Sequence, residues 1–295
     1  MSRVVLVGEA MLELSATAGG WQLAYGGDTL NTAIHLARAG IDTAFLTALG
    51  DDPFSRDLIA RWAAEGLDTS LMLTDPARHP GLYAISCDAA GERSFTYWRG
   101  ESAARRLFAC ADSAAACARA EHCDLLGFSL ISLAILPEEG RAALLALARA
   151  VRARGGQVAF DGNYRARLWP DAATARAARD AAIAVATIGL PTRDDEVLLG
   201  ADPDPAAIAA HWRGLGCAET VVKLGGAGCR LPDGTPCPPD EVLAPVDTSG
   251  AGDAFNGGYL AARLRGAAPV AAARQGHALA GWTIMRRGAI PPRDT

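Results

Sequence analysis

Lysine is almost missing from this chain. Of its 28 basic residues only Lys223 is a lysine, a skew that reflects coding bias and carries no chemistry by itself. An excess of positive charge is missing too: with a net charge of -5 and a pI near 5.6, the chain has no general means of holding a polyanion, which excludes nucleic acid as its main partner. No apolar run is long enough for a membrane span. The N-terminal MSRVVLVGEAMLEL carries one arginine and is interrupted by Glu9 too early for a secretory h-region, so a cytoplasmic location is expected. The seven cysteines include no CxxC pair and none of the Cys/His spacings of a zinc site, so reduced, mostly structural thiols are expected. None of the five histidines pairs with a serine or cysteine in a way that suggests a triad, and packing or surface roles are their default. Trp62, Trp212 and Trp282 fall in helical patterns and read as core. Neither GxxxxGK[ST] nor GxGxxG is present, so a P-loop and a dinucleotide fingerprint are both excluded.

What remains is an ordinary globular composition, half hydrophobic, in 295 residues, a length that suits an α/β core with an attached subdomain. VVLVG (4 to 8) is a β-branched run ending in glycine, the mark of a strand buried on both faces of a parallel sheet. Similar runs at 43 to 50, 123 to 130, 157 to 163, 186 to 191 and 220 to 228 alternate with alanine- and leucine-rich stretches. Those stretches have helical periodicity at 29 to 39, 54 to 65, 138 to 154, 171 to 183, 205 to 214, 253 to 265 and 269 to 286. Strand alternating with helix predicts a mostly parallel central sheet covered on both sides. Two regions break the rhythm. Residues 80 to 99 read as two short strands joined by a turn at DAAGE, and 14 to 27 have the same look. These predict a small β lid, spanning about 14 to 27 and 80 to 101, over the carboxyl ends of the parallel strands.

The stretch DTSGAGDAFNGG, Asp247 to Gly258, places two glycines where a helix begins. Free N–H groups and the positive end of the helix dipole would meet there, an anion site; as a cap alone, Asp253 would be an ordinary N-cap. A second glycine loop, KLGGAG (223 to 228), ends a strand upstream. Two such loops at strand ends predict one extended nucleotide site.

DTSGAGDAFNGGYLAARLRG closely resembles the carboxyl-terminal signature D-T-x-G-A-G-D-x-F of the ribokinase-like sugar kinases, the phosphofructokinase B family, and GGDTLNTAIHLARAG (26 to 40) resembles that family's amino-terminal glycine motif. The resemblance spans nearly the whole chain. It implies a three-layer ribokinase-like fold with a β lid, and transfer of the γ-phosphoryl group of ATP to a sugar hydroxyl. By position, Asp253 corresponds to the catalytic base and Gly250, Ala251 and Gly252 to the backbone anion hole. An aspartate of ordinary pKa suffices for such a base, because phosphoryl transfer depends on charge stabilisation and alignment. Lys223, Gly225, Gly226 and Gly228 resemble the nucleotide loop. Asn163, Arg165 and Thr192 are nucleotide contacts on the same resemblance. Asp247 and Thr248 match positions that bind a monovalent cation such as K+ or orient the loop, although an Asx turn explains them as well. The family's Asn-x-x-Glu motif, which organises Mg2+ through water, is altered to TRDDE, with Thr192 at the asparagine position. Asp195 is the expected replacement, with Asp194 and Glu196 next, while most of the Mg2+ arrives on ATP.

The acceptor has to be read from the amino half. In SFTYWRGE, alternation puts Phe95, Tyr97 and Arg99 on one face and Ser94, Thr96 and Trp98 on the other, so Arg99 is offered as a fork for a carboxylate; a lone solvated arginine is the alternative. YWRGESAAR, DGNYRARLWP and RRGAIP are similar to segments of the 2-keto-3-deoxygluconate kinases within the family. That likeness implies an anionic sugar acid, with Gly27, Asp28 and Asn31 on its hydroxyls, Tyr83, Tyr97 and Arg99 on its keto-acid end, and Arg165 bridging substrate and phosphates. Asp28 is expected to be an N-cap as well. Glu13 stands where relatives place an acidic sugar ligand. Exposed lid edges favour pairing, so a homo-oligomer is expected.

Overall fold

The computed structural model describes residues 3–17, 19–87 and 93–293. Its strands are β1 (Arg3–Val7), β2 (Met11–Thr17), β3 (Gly20–Gly26), β4 (Asp42–Leu49), β5 (Met72–Thr74), β6 (Gly81–Cys87), β7 (Arg93–Trp98), β8 (Leu125–Ser129), β9 (Gln157–Asp161), β10 (Ile188–Gly189), β11 (Glu219–Thr220), β12 (Val222–Lys223), β13 (Cys229–Arg230) and β14 (Pro236–Cys237). Its helices are α1 (Asp28–Arg38), α2 (Pro53–Ala64), α3 (Ser113–Ala120), α4 (Leu130–Ile135), α5 (Glu138–Ala153), α6 (Ala172–Ile183), α7 (Arg193–Leu198), α8 (Pro205–Gly214), α9 (Ala251–Leu264) and α10 (Pro269–Ile284).

Seven strands form the central sheet in the order β11-β10-β9-β8-β1-β4-β5, and every neighbouring pair is parallel. The reason lies in side-chain alternation. Val5 and Val7 of β1 enter one apolar cluster, with α3, α5 and α6, while Val4 and Leu6 enter the other, with α1, α2, α9 and α10. Both faces of the strand are therefore buried, and each such side chain contributes about 1.5–3 kcal/mol. The two clusters are the spaces between three layers, helix on sheet on helix. Among the described residues no helix is long and apolar enough to cross a membrane.

All seven expected helices form, with ends shifted by a residue or two. The strand expected at 186–191 shrinks to Ile188–Gly189. The run 220–228 is divided: Thr220 ends the central sheet, while Val222–Lys223 starts a three-stranded sheet β12-β13-β14. Its hairpin is closed by Leu224 N–H donating to the Gly228 carbonyl at 2.8 Å, so the glycines form a turn and not a strand extension. α4 escapes sequence reading because it is apolar all round, so no 3.6-residue stripe marks it. What starts it is a reciprocal cap between Ser129 and Ser132.

The second sheet has the order β3-β2-β6-β7, built from the two regions that break the βα rhythm. The DAAGE turn, 88 to 92, lies outside the described residues. Register places Glu13, Tyr83 and Tyr97 in one row across the strands, and Leu82 opposite Trp98 in the next, so alternation assigns the two faces as the sequence predicts. α9 packs tightly on α10. A Cβ on Gly258 would stand 2.7 Å from the Gln275 carbonyl oxygen, so the NGG of the signature is required for helix contact as well as for its loop.

Candidate active site

The carboxyl ends of β1, β8 and β9 bring Gly8, Ser129 and Asp161 to one side of the sheet, and the first turns of α1 and α9 meet there. Neither aspartate is a cap. The N-cap of α9 is Gly250, at φ 69°, and Asp253 is the third helical residue; the N-cap of α1 is Gly27, and Asp28 is the first. The cap role expected of both fails for a steric reason. A side chain at Gly250 would be in the left-handed region with its Cβ 2.5 Å from that of Ala289, and one at Gly27 would have its Cβ 2.3 Å from the Glu9 carbonyl oxygen, so glycine holds both caps and the aspartates fall inside the helices, Asp253 three positions in and Asp28 one. The N–H of Ala251 donates to the Thr248 carbonyl at 3.3 Å, and the first helical bond is Ala254 N–H to the Gly250 carbonyl. By position, the N–H groups of Gly252 and Asp253 have no acceptor within the helix.

Asn31 Nδ2 donates to Asp253 Oδ2 at 2.8 Å, and Thr32 Oγ1 donates to the Asp253 carbonyl at 3.2 Å, so α1 and α9 hold one another at this point. Burial, with the charge of Asp28 next, pushes the Asp253 carboxyl up to about 8, against the Asn31 hydrogen bond and Lys223. The expectation of an ordinary aspartate is corrected. Asp28 is also raised, by burial foremost. Its Oδ2 accepts from Asn163 Nδ2 at 3.1 Å, which places Asn163 beside Asp28.

Two residues that sequence reading overlooks complete the centre. Asp161 Oδ1 accepts from Lys223 Nζ at 3.1 Å, and its Oδ2 accepts from Asn256 Nδ2 at 2.7 Å. Asn256 Oδ1 in turn accepts from Lys223 Nζ at 3.1 Å. Lys223 is thereby held 3.6 Å from where a Cβ on Gly252 would be, against the turn that starts α9. The only available signals were a strand-terminal aspartate and an asparagine three residues after Asp253.

On the side of the second sheet, Tyr83 and Tyr97 stack at 5.6 Å and Phe95 stacks on Tyr97 at 6.3 Å. Tyr83 OH donates to Glu13 Oε2, and Ser15 Oγ donates to Glu13 Oε1 at 2.7 Å. Arg99 is not offered as a free fork. Its Nε donates to Glu9 Oε2 at 2.8 Å and its Nη2 to the same oxygen, in a pair whose side chains are 9% and 1% exposed. Arg167 instead lies with Cζ 3.5 Å above the Tyr97 ring, exposed, and makes no ion pair among the described residues. The buried Oδ1 of Asn31 has no hydrogen-bond partner among the described residues.

Opposite, across the start of α9, opens a cavity of about 570 Å³. The glycine loop lines it with Lys223, Gly225, Gly226 and Gly228, the start of α9 with Ala251 and Gly252 beside Thr248, and Phe255, His277 and Trp282 line it as well. Trp282 and His277 are thus cavity residues as well as packing residues. Thr192 bridges to Lys223 at the edge of the sheet and starts α7. The acidic triplet that follows is divided by its partners. Glu196 is sealed in an ion pair with Arg179 at 2.7 Å, and Asp194 is exposed beside Arg193, so the alternatives offered to Asp195 fall away. Burial raises Asp195, and Arg165 Nη1 approaches its Oδ1 at 3.4 Å while donating to the Tyr164 carbonyl at 2.6 Å. Asp247 accepts from the N–H of Ser249 at 2.9 Å and of Gly288 at 3.0 Å, tying the signature loop to the carboxyl-terminal segment.

A model of the pfkB family of carbohydrate kinases matches residues 1–295. The chain is 39% identical over 305 residues to the 2-dehydro-3-deoxygluconokinase of Escherichia coli strain K12, covering 99% of this chain and 98% of that one. Among solved structures, the PfkB protein from Polaromonas sp. JS666 superposes with a TM-score of 0.86 at 27% identity over 97% of this chain and 96% of that one. The aminoimidazole riboside kinase of Salmonella enterica, solved with aminoimidazole riboside and an ATP analog, gives 0.82 at 26% identity, covering 98% and 95%.

Proposed function

The chain belongs to the pfkB family of carbohydrate kinases, and from that premise we propose that it is an ATP-dependent kinase of 2-keto-3-deoxygluconate, the compound also called 2-dehydro-3-deoxygluconate. The product is 2-keto-3-deoxy-6-phosphogluconate. The observation that carries this is the position of Asp253: one carboxylate at a helix start, with the cavity that suits a nucleotide on one side and the polar side chains of Asp28 and Asn31 beside it.

Gly27, Asp28 and Asn31 hold the sugar hydroxyls, the free Asn31 Oδ1 accepting one of them. Asp253 receives the proton of the terminal hydroxyl as its oxygen bonds the γ-phosphorus and the bridge to ADP breaks. Gly250, Ala251 and Gly252 form the turn around the transferring group, where the unsatisfied N–H groups of Gly252 and Asp253 and the Lys223 ammonium meet developing negative charge. ATP lies in the cavity of Gly225, Gly226, Gly228 and Thr248. Asn163 steadies Asp28, Thr192 and Arg165 border the phosphates, and Asp195 would organise Mg2+ through water. When bound, Mg2+ neutralises the phosphate oxygens. At Asp247 and Thr248, K+ would have to share a carboxylate already holding two backbone N–H groups, so loop anchoring is the role the geometry favours.

For the keto-acid end, Tyr83 and Tyr97 form the floor. Arg167 supplies the carboxylate fork in place of Arg99, whose charge is neutralised by Glu9. The four-stranded sheet is the lid. Its outer face shows Trp21 and Trp98, 59% and 57% exposed, a surface suited to pairing with a second copy. Dependence on ATP suits a cytoplasmic setting. The test is ADP release with ATP and Mg2+ over a panel of 2-keto-3-deoxygluconate, fructose, ribose and gluconate. The keto acid gives the highest kcat/KM; a higher value for fructose overturns the assignment.

A further inference from the structure

Sequence spacing shows no zinc motif, yet three separate elements bring two thiols and an imidazole together. Cys229 and Cys237 are register partners on the antiparallel strands β13 and β14, both buried, and His277 reaches them from α10. His277 Nε2 lies 3.6 Å from Cys229 Sγ and 3.0 Å from the Cys237 carbonyl oxygen. One ligand atom from each of the three side chains falls within 4.8 Å of the others. Bonds of about 2.3 Å to sulfur and 2.0–2.1 Å to nitrogen put the donors of a tetrahedral cation about 3.5–3.8 Å apart, so a contraction of about 1.3 Å at most brings the three donors onto one ion.

We propose that Cys229, Cys237 and His277 form a binding site for one soft d10 cation of the Zn2+ or Cu+ class, distinct from the Mg2+ of phosphoryl transfer. Two thiolates and an imidazole select such ions over Mg2+, which takes oxygen ligands. Burial favours the uncharged imidazole of His277, with the nearby Asp240 opposing, so the ring needs only to move its proton from Nε2 to Nδ1. Burial likewise holds the Cys229 thiol up at about 12, so the metal displaces the thiol protons, and about two protons leave per ion bound.

The place matters as much as the chemistry. His277 lines the nucleotide-side cavity and packs on Phe255, with ring centroids 5.0 Å apart. A Cβ on Gly228 would lie 2.3 Å from the Cys237 carbonyl oxygen, so β14 rests directly on the glycine loop. A bound ion therefore ties β13, which follows the glycine loop, to β14 and α10, and both the loop and His277 line the cavity.

The experiment uses the full chain, stripped with a chelator, reduced with a phosphine, and titrated with Zn2+ against a chromophoric chelator. The expected result is one equivalent bound, about two protons released and a higher Tm, with Co2+ giving a thiolate charge-transfer band. Cys229→Ser and Cys237→Ser each weaken Zn2+ binding by about 100-fold or more and remove the band, while Cys110→Ser and Cys117→Ser change neither. Equal Zn2+ uptake by the wild type and a folded Cys229→Ser/Cys237→Ser chain overturns the proposal. So does a Co2+ complex of the wild type without the thiolate band, which decides the matter even if the variants do not fold.

Discussion

Replacing Arg99 by methionine separates the sequence expectation from the structure. If Arg99 held substrate, its loss would raise KM for the keto acid and leave the fold intact. In the structure its guanidinium is bound to Glu9 Oε2 through two donors, in a pair almost closed to solvent. Removing one member of a buried pair leaves the other charge without compensation, at a cost of about 3–5 kcal/mol. Against a total stability of about 5–15 kcal/mol, and at roughly 2–4 °C per kcal/mol, Arg99→Met lowers Tm by about 10 °C. Glu9→Gln costs a similar amount. The double variant recovers most of the loss, because no isolated charge remains, and the double-mutant cycle gives a coupling of about 2 kcal/mol or more. Thermal and urea melts of the four proteins at neutral pH measure it. An unchanged Tm for Arg99→Met, with a selective rise in KM for the keto acid, refutes the pairing and returns Arg99 to the substrate.

Two further outcomes follow from the site. Because the Asp253 carboxyl is raised to about 8 and acts as base only when ionised, kcat/KM climbs about tenfold per pH unit up to about pH 8 and then levels; a flat profile across that range removes the raised carboxyl from the rate. Arg167→Met deletes charge-assisted hydrogen bonds worth about 1.5–3 kcal/mol, raising KM for the keto acid about 10- to 100-fold with little effect on turnover of a neutral sugar; equal losses on both contradict its role.

Local signals were legible in the sequence and long-range partners were not. The seven expected helices, the parallel strands and the two β segments of the second sheet follow from periods of 3.6 and 2, which a chain carries within a few residues. Asp253 was legible because its glycines stand beside it. Its raised pKa was not, since burial and Asp28 create it, and Asp28 lies at the start of another helix. The partner of Arg99 was hidden for the same reason: strand alternation gives the face, but Glu9, which its guanidinium binds, lies ninety positions away. Asp161 and Asn256 matter through Lys223, which topology alone brings to them. The cap expected at Asp253 failed because the sequence shows an aspartate at a helix start but not Ala289 beside Gly250.

In the proposed mechanism Asp253 takes the proton in phosphoryl transfer. Asp253→Asn keeps nearly the same shape and the Asn31 contact region while removing the base. Single-turnover kinetics with saturating ATP, Mg2+ and 2-keto-3-deoxygluconate, alongside calorimetric binding of each, measure it most directly. The transfer step is expected to slow by about 10²- to 10⁴-fold with nucleotide affinity unchanged; transfer at the wild-type rate removes Asp253 from the role of base.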